Sequence, residues 1–217
     1  MKIEDALTVR IKICGITNVE DAIAATNLGA DAIGFVFASS PRQISPDKAK
    51  SIITALPPLV QTVGVFVDED PEKVASIATL CHLDLLQFHG KESVIYCGQF
   101  AKRVIKAVRI QSPDDLKTCS EYSNVANALL LDTYVSGQQG GTGLTFDWDL
   151  ALEAKRLGRI ILAGGLNPDN VAVAVTKVRP YAVDVSSSLE RKPGVKDHDK
   201  MARFIQTVRR AEHGKLE

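Results

Sequence analysis

The sequence lacks several features that mark large classes of proteins. It carries no net charge, because 26 Lys and Arg residues balance 26 Asp and Glu residues, so no overall field draws the chain to nucleic acid or to an anionic membrane. No apolar run approaches the roughly 20 residues that a membrane-spanning helix needs. The N-terminal stretch shows neither the basic nor the apolar region of a signal peptide. We therefore expect a cytoplasmic protein with a small-molecule partner, and neither nucleic acid nor a membrane.

Cysteine is also scarce. The four cysteines, at positions 14, 81, 97 and 119, show no CxxC spacing, and no cluster of histidines accompanies them. Neither a disulfide framework nor a zinc site is expected from this pattern.

Short apolar segments rich in β-branched residues recur along the whole chain, and an amphipathic stretch follows each of them. This pattern is typical of parallel strands that are buried on both faces and joined by helices. The predicted strands are 9–14, 32–37, 62–67, 83–88, 103–108, 128–132, 159–163 and 182–185. The predicted helices are 19–28, 46–55, 71–80, 92–99, 113–119, 147–157, 168–177 and 197–212.

Eight alternating β and α units within 217 residues predict a single (β/α)8 TIM barrel that spans residues 1–217. A doubly wound open sheet usually has fewer strands and a glycine-rich nucleotide loop after the first one. Here Gly15 alone follows the first strand, and this favours the barrel.

Polar residues gather where the predicted strands end. Enzymes with this fold assemble their sites at the carboxyl ends of the strands, so we expect this rim of the barrel to bind a polar ligand. The residues at these positions are Cys14, the 39–42 loop, Asp68, His89, Arg109, Asp132, Gly164, Gly165 and Ser186 to Ser188.

Three loops at this rim predict a phosphate site, because exposed backbone N–H groups and a helix start suit an oxyanion. One glycine pair alone is more typical of a tight turn, but three such loops at one rim favour phosphate. The candidate binding residues, in the loops after strands six, seven and eight, are Gly141, Thr142, Gly143, Gly164, Gly165, Ser186 and Ser187.

Cys14 and Asp132 are the candidates for proton transfer. A thiol acts as a base only as thiolate, so its usual pKa of about 8.5 would have to be lowered by amides or cations such as Arg42. Asp132 follows a very apolar run, where desolvation should raise its pKa and let it donate a proton. The alternatives are a small buried cysteine and an aspartate that caps a loop.

Two further rim residues are candidates for substrate contacts. Arg42 lies in a loop that should overhang the barrel mouth, where it could pair with an anionic substrate or with a neighbouring carboxylate. His89 could orient a substrate or bond to a neighbouring loop.

Taken together, these segments resemble the phosphoribosylanthranilate isomerase family, and the similarity runs from the first strand to the last helix. Eight motifs carry it in the expected order. They are KICGIT (12–17), GFVFASSPRQIS (34–45), GVFVD (64–68), LLQFHG (85–90), LLLDT (129–133), GGTGLTFDW (140–148), LAGGLNPDNV (162–171), and VDVSSSLE (183–190) followed by KPGVKD (192–197).

The resemblance implies an aldose–ketose isomerase of tryptophan biosynthesis that needs no cofactor or metal. Its reaction is the Amadori rearrangement of N-(5-phosphoribosyl)anthranilate to 1-(2-carboxyphenylamino)-1-deoxyribulose 5-phosphate. The residue matching Asp132 is the general acid that opens the ring, and the residue matching Cys14 is the general base that removes the C2 proton. Arg42 is expected to contact the anthranilate group, and His89 to lie in the site.

One position departs from the family pattern, because Ser188 stands where the family usually has glycine. If that glycine has a positive φ or allows close approach of a phosphate oxygen, the serine should weaken phosphate binding. Its hydroxyl could instead add a donor.

Other functions stay open at this stage. A different phosphate-binding barrel enzyme is one, although a histidine-pathway isomerase usually has aspartates where Cys14 and Arg109 stand. A barrel that binds phosphate without catalysis is another. The sequence also leaves a homodimer and a monomer open.

Overall fold

Eight parallel strands close a barrel in the order of the chain, with β8 hydrogen-bonded back to β1. This confirms the predicted architecture. The computed structural model describes residues 8–132, 148–212 and 214. The barrel strands are β1 (Arg10–Cys14), β2 (Ala32–Val36), β3 (Gln61–Phe66), β4 (Leu85–Phe88), β5 (Arg103–Arg109), β6 (Ala128–Asp132), β7 (Ile160–Ala163) and β8 (Ala182–Val185).

Helices follow the strands, and a short hairpin precedes the last helix. Within the described ranges, no helix is both long and apolar enough to cross a bilayer. The hairpin consists of β9 (Glu190–Lys192) and β10 (Val195–Lys196). The α-helices are α1 (Val19–Leu28), α2 (Pro46–Thr54), α3 (Pro71–Leu80), α4 (Val94–Gly98), α5 (Asp115–Tyr122), α6 (Trp148–Ala154), α7 (Val171–Val178) and α8 (His198–Glu212).

The predicted strand ends agree with the structure to within two residues, and α1 and α3 have the predicted bounds. The start of α7 was predicted three residues too early. The Asn167 side chain accepts hydrogen bonds from the backbone N–H groups of Asp169 and Asn170. It therefore caps a separate turn, and the helix begins only after that turn.

Two apolar layers fill the structure. The larger layer lies between the strands and the helices, and a smaller one fills the inside of the barrel. Side chains alternate along a strand, so every second residue of a barrel strand faces inward. Closer to the mouth, the inward-facing residues are polar or contain sulfur: Lys12, Cys14, Gln87, Asp132 and Asp184. The inner apolar residues are Val63, Ile105, Ala107, Ala128, Leu130, Ile161, Ala163 and Ala182.

A buried ion pair between Lys106 and Glu92 holds the loop after β4. The Lys106 ammonium lies 2.7 Å from the Glu92 carboxylate, and both side chains are almost fully buried. Glu92 also accepts hydrogen bonds from the backbone N–H groups of Asp68 and Gly90, and Lys106 donates to the Gly90 carbonyl. This network fixes the backbone directly after His89.

We predict that Lys106→Met lowers the free energy of unfolding by about 3–5 kcal/mol, because it leaves the Glu92 charge buried and without its cation. Chemical denaturation measures this change. The control is Lys117→Met, which removes an exposed pair with Asp114 and should change the stability by less than about 0.5 kcal/mol. Equal losses in the two variants would contradict a structural role for the buried pair.

Candidate active site

The two residues predicted to transfer protons lie at the same mouth of the barrel. Cys14 ends β1 and Asp132 ends β6, and both continue the inward-facing rows of their strands. Cys14 is 8% exposed, whereas about a fifth of the Asp132 side chain is exposed. A thiol and a carboxyl group therefore lie at one mouth of the barrel, on different strands.

The environment of Cys14 corrects one expectation. Burial raises the pKa of the thiol above its ordinary value, and the nearby Asp184 raises it further. The cations Lys12 and Lys196 act in the opposite direction but do not outweigh burial. The lowering that a thiolate base was expected to need is therefore not found, because desolvation in the barrel mouth disfavours the thiolate.

Sequence reasoning missed the cation that affects Cys14 most. Lys12 stands two residues earlier on β1, so it lies on the same inward face. Its ammonium group lies 2.9 Å from the Asp184 carboxylate on β8, and both side chains are buried. The sequence signal was a lysine between the apolar residues Ile11 and Ile13, in phase with Cys14.

A hydrogen-bonded chain leads to Asp132. The Nε2 atom of His89 lies 3.1 Å from Oδ2 of Asp132, and its Nδ1 atom lies 3.1 Å from the amide nitrogen of Gln87. Since the amide nitrogen is a donor, Nδ1 is the acceptor in this arrangement. The ring proton is then on Nε2, which donates a hydrogen bond to Oδ2 of Asp132. His89 thus contacts the candidate acid directly.

Arg42 is paired within the protein. Its Nε and Nη2 atoms donate to the two oxygens of Glu190 at 2.7 and 2.8 Å, a bidentate geometry that fixes the guanidinium plane. Lys196, whose side chain is fully buried, donates to the same carboxylate and to the Ser186 carbonyl. Glu190 engages two of the five guanidinium donors, so Arg42 is oriented at the mouth and keeps donors for a ligand.

The loops after β7 and β8 lie side by side. Gly164 and Gly165 both have positive φ angles, 76° and 67°, as a tight turn after a strand requires. Ser186 donates to the Cys14 carbonyl, and Ser187 begins a short 3₁₀ helix, Ser187–Leu189. The predicted residues of the loop after β6, Gly141, Thr142 and Gly143, lie outside the described residues.

Ser188 joins these two loops. Its hydroxyl donates to the Leu166 carbonyl at 2.5 Å. In the described part of the chain, positive φ angles outside glycine occur at Asp68, His82 and Arg179, so Ser188 carries no such strain. The positive φ that would have made serine unfavourable at this position is therefore absent. Its hydroxyl proton is already used within the protein.

Gly15 is required where β1 turns toward Arg42. Its φ angle is 76°, and a Cβ atom added there would lie 2.6 Å from Cδ of Arg42 and 3.0 Å from the Ser186 hydroxyl. Only glycine combines this backbone with this close approach.

We predict that Gly15→Ala destabilises the protein more than Gly165→Ala does. Both substitutions place a side chain in the left-handed region, at a cost of about 1–2 kcal/mol. A Cβ at position 165 would meet no atom within 4 Å, so the difference between the variants measures the displacement of Arg42. Thermal and chemical unfolding provide the comparison. Equal destabilisation would show that Arg42 adjusts freely.

The fold and the mouth residues define a class, the (β/α)8 barrels that carry a thiol and a carboxyl group at the carboxyl ends of their strands. A family model described as N-(5'-phosphoribosyl)anthranilate (PRA) isomerase matches residues 11–207. The chain therefore belongs to the N-(5'-phosphoribosyl)anthranilate isomerase family, as the motifs predicted.

Individual proteins give the same result. The chain is 52% identical over 202 residues to the N-(5'-phosphoribosyl)anthranilate isomerase of Geobacter sp. (strain M21), an alignment that covers 93% of this chain and 98% of that protein. The crystal structure of phosphoribosyl anthranilate isomerase from Thermotoga maritima superposes with a TM-score of 0.87 at 46% identity, covering 92% of this chain and 98% of that one. A further isomerase structure, in complex with reduced 1-(o-carboxyphenylamino)-1-deoxyribulose 5-phosphate, gives a TM-score of 0.83 at 45% identity, with coverage of 92% and 98%.

Proposed function

We propose that this protein catalyses the Amadori rearrangement of N-(5'-phosphoribosyl)anthranilate, with Asp132 as the general acid and Cys14 as the general base. Family membership over residues 11–207 supports the reaction. The single structural observation that supports the roles is the placement of both side chains at one barrel mouth, at the ends of β1 and β6. The alternative barrel functions lack comparable support.

In this mechanism Asp132 gives its proton to the ring oxygen of the ribose. The bond from C1 to that oxygen breaks, and the nitrogen lone pair forms the Schiff base. Since Oδ2 accepts from His89, the donated proton belongs on Oδ1. His89 then holds the carboxyl group in place and, after proton transfer, stabilises the carboxylate through its N–H.

Cys14 then removes the proton from C2 as thiolate. The electrons move toward the Schiff-base nitrogen and give an enolamine, which tautomerises to the ketone. Burial of the thiol makes the thiolate a stronger base once it is formed, while it reduces the fraction of thiolate at neutral pH. No cofactor or metal takes part in this scheme.

The anionic groups of the substrate would be held on either side of these two residues. The Arg42 donors that Glu190 leaves unused would bind the anthranilate carboxylate. The backbone amides around Gly143, Gly165 and Ser187 would hold the phosphate, as in other barrels of this kind. Fixing both ends places C1 and C2 between acid and base.

Turnover of N-(5'-phosphoribosyl)anthranilate by the purified protein, followed as loss of anthranilate-type fluorescence, tests the function. We expect Cys14→Ser and Asp132→Asn each to lower kcat by about 100-fold or more with the fold intact. Matched controls are Cys97→Ser, on α4, and Asp114→Asn, at the surface, which should retain kcat. A folded wild-type protein without turnover would exclude the isomerase, and a wild-type kcat in either site variant would exclude that residue's role.

The Ser188 hydroxyl should matter for affinity rather than for chemistry. We expect Ser188→Ala to raise KM about threefold to tenfold with little change in kcat, because one hydrogen bond between the two proposed phosphate loops is lost. Ser188→Thr keeps the hydroxyl and should retain most of the affinity. Steady-state kinetics distinguish the two parameters. If Ser188→Ala bound substrate as tightly as the wild type, the Leu166 contact would have no part in binding.

Assembly and location complete the proposal. One of the similar solved structures is described as containing monomers generated from the dimeric isomerase of Thermotoga maritima. We propose that the present chain works in the cytoplasm as a homodimer or a monomer, and sedimentation equilibrium distinguishes these two states.

A further inference from the structure

The least expected feature of the barrel mouth is a buried lysine directly below the thiol. Lys12 is 4% exposed, and its neighbour Asp184 is 8% exposed. Burying a lysine and an aspartate costs several kcal/mol per ion unless the two are paired. The proposed roles of Cys14 and Asp132 give this pair no task.

Three neighbouring strands define the position of this lysine. Lys12 is paired in register with Asp184 across the β1–β8 junction, and Cys14 is paired with Gly34 on β2. A Cβ at position 34 would lie 2.8 Å from Sγ of Cys14 and 3.1 Å from Cε of Lys12. The glycine thus leaves room for the thiol and the lysine stem together.

Lys12 remains a cation in this place. Burial works to lower its pKa, but the attraction of Asp184, followed by that of Cys14, outweighs burial, and the net pKa is raised. Lys12 and Cys14 each favour the charged form of the other. The ammonium group therefore lies between the Asp184 side chain, its hydrogen-bond partner, and a thiol that can ionise.

We propose that Lys12 is a positioning residue whose ammonium group, held by Asp184, stabilises the thiolate form of Cys14. This inference rests on the proposed function, in which Cys14 is the base. The proton of the thiol leaves to solvent, the thiolate stays beside the ammonium group, and it then accepts the C2 proton of the substrate.

Other charges near Cys14 fit this assignment less well. Lys196 donates to Glu190 and to a backbone carbonyl, and burial lowers its pKa. Arg42 is held in a bidentate pair by Glu190. Asp184 acts against the thiolate, but it is the carboxylate that keeps Lys12 charged. Of these groups, Lys12 lowers the pKa of Cys14 most.

The test titrates Cys14 directly through its alkylation by iodoacetamide, measured against pH and mapped by mass spectrometry, with Cys14→Ser as the blank. We expect Lys12→Met to raise the midpoint of alkylation by about one pH unit or more, which slows alkylation about tenfold at a pH below the midpoint. The acid limb of kcat/KM should move by the same amount. Lys12→Arg restores the cation and should bring both midpoints back toward wild type.

Two variants separate this effect from general damage. Lys12→Met combined with Asp184→Asn leaves no unpaired carboxylate. The double variant should still raise the midpoint, because the charge of Lys12 lowers the pKa of the thiol more than the charge of Asp184 raises it. Lys106→Met breaks a buried ion pair elsewhere and should leave the midpoint unchanged. Two results would overturn the proposal. One is an unchanged midpoint of alkylation in folded Lys12→Met and in the folded double variant, and the other is an equal shift of the midpoint in Lys106→Met.

The alkylation assay needs no turnover, so it also separates the two proposals. If Cys14→Ser kept the wild-type kcat, the role of Cys14 as base would fail, whatever the midpoints were. If Cys14→Ser lost activity but Lys12→Met lowered kcat/KM equally at every pH, the base would stand and the role of Lys12 in its ionisation would fail.

Discussion

Closure of the barrel is the constraint on which the rest of the structure depends. Eight parallel strands with no free edge leave an interior that small apolar side chains fill, so any charged group that faces inward must find its partner there. The partners come from neighbouring strands, as Lys12 on β1 meets Asp184 on β8. The same closure brings residues that are 172 positions apart in sequence into direct contact.

At the mouth, Asp132 and Arg42 each belong to a small network rather than standing as isolated side chains. Asp132 is held by His89 and through it by Gln87, and Arg42 is held by Glu190 together with Lys196. Each proposed substrate contact therefore has a partner that limits its rotamers before substrate arrives. Such preorganisation is worth more at a reacting centre than additional contacts, because little reorganisation remains for the reaction step.

The sequence was sufficient for the fold and for the side chains that end the strands, because periodicity predicts where each strand and helix lies and which face of a strand points inward. Cys14 and Asp132 were found in this way. Periodicity does not report partners across the barrel, so the pairing of Arg42 with Glu190 and of Lys12 with Asp184 was missed. It also does not report how completely the Cys14 thiol is buried, so the raised pKa of that thiol was not predicted.

A raised pKa at Cys14 is compatible with the role of general base proposed for it. The proton on a carbon next to a Schiff base is weakly acidic, so a more basic thiolate removes it faster, but a higher pKa leaves fewer molecules ionised. Burial alone would push this balance toward an inert thiol. A nearby ammonium group counters burial, and it can do so only while it stays protonated in the same apolar surroundings. Asp184 keeps Lys12 protonated by raising its pKa. This explains why a buried carboxylate lies beside the lysine, although that carboxylate by itself disfavours the thiolate of Cys14.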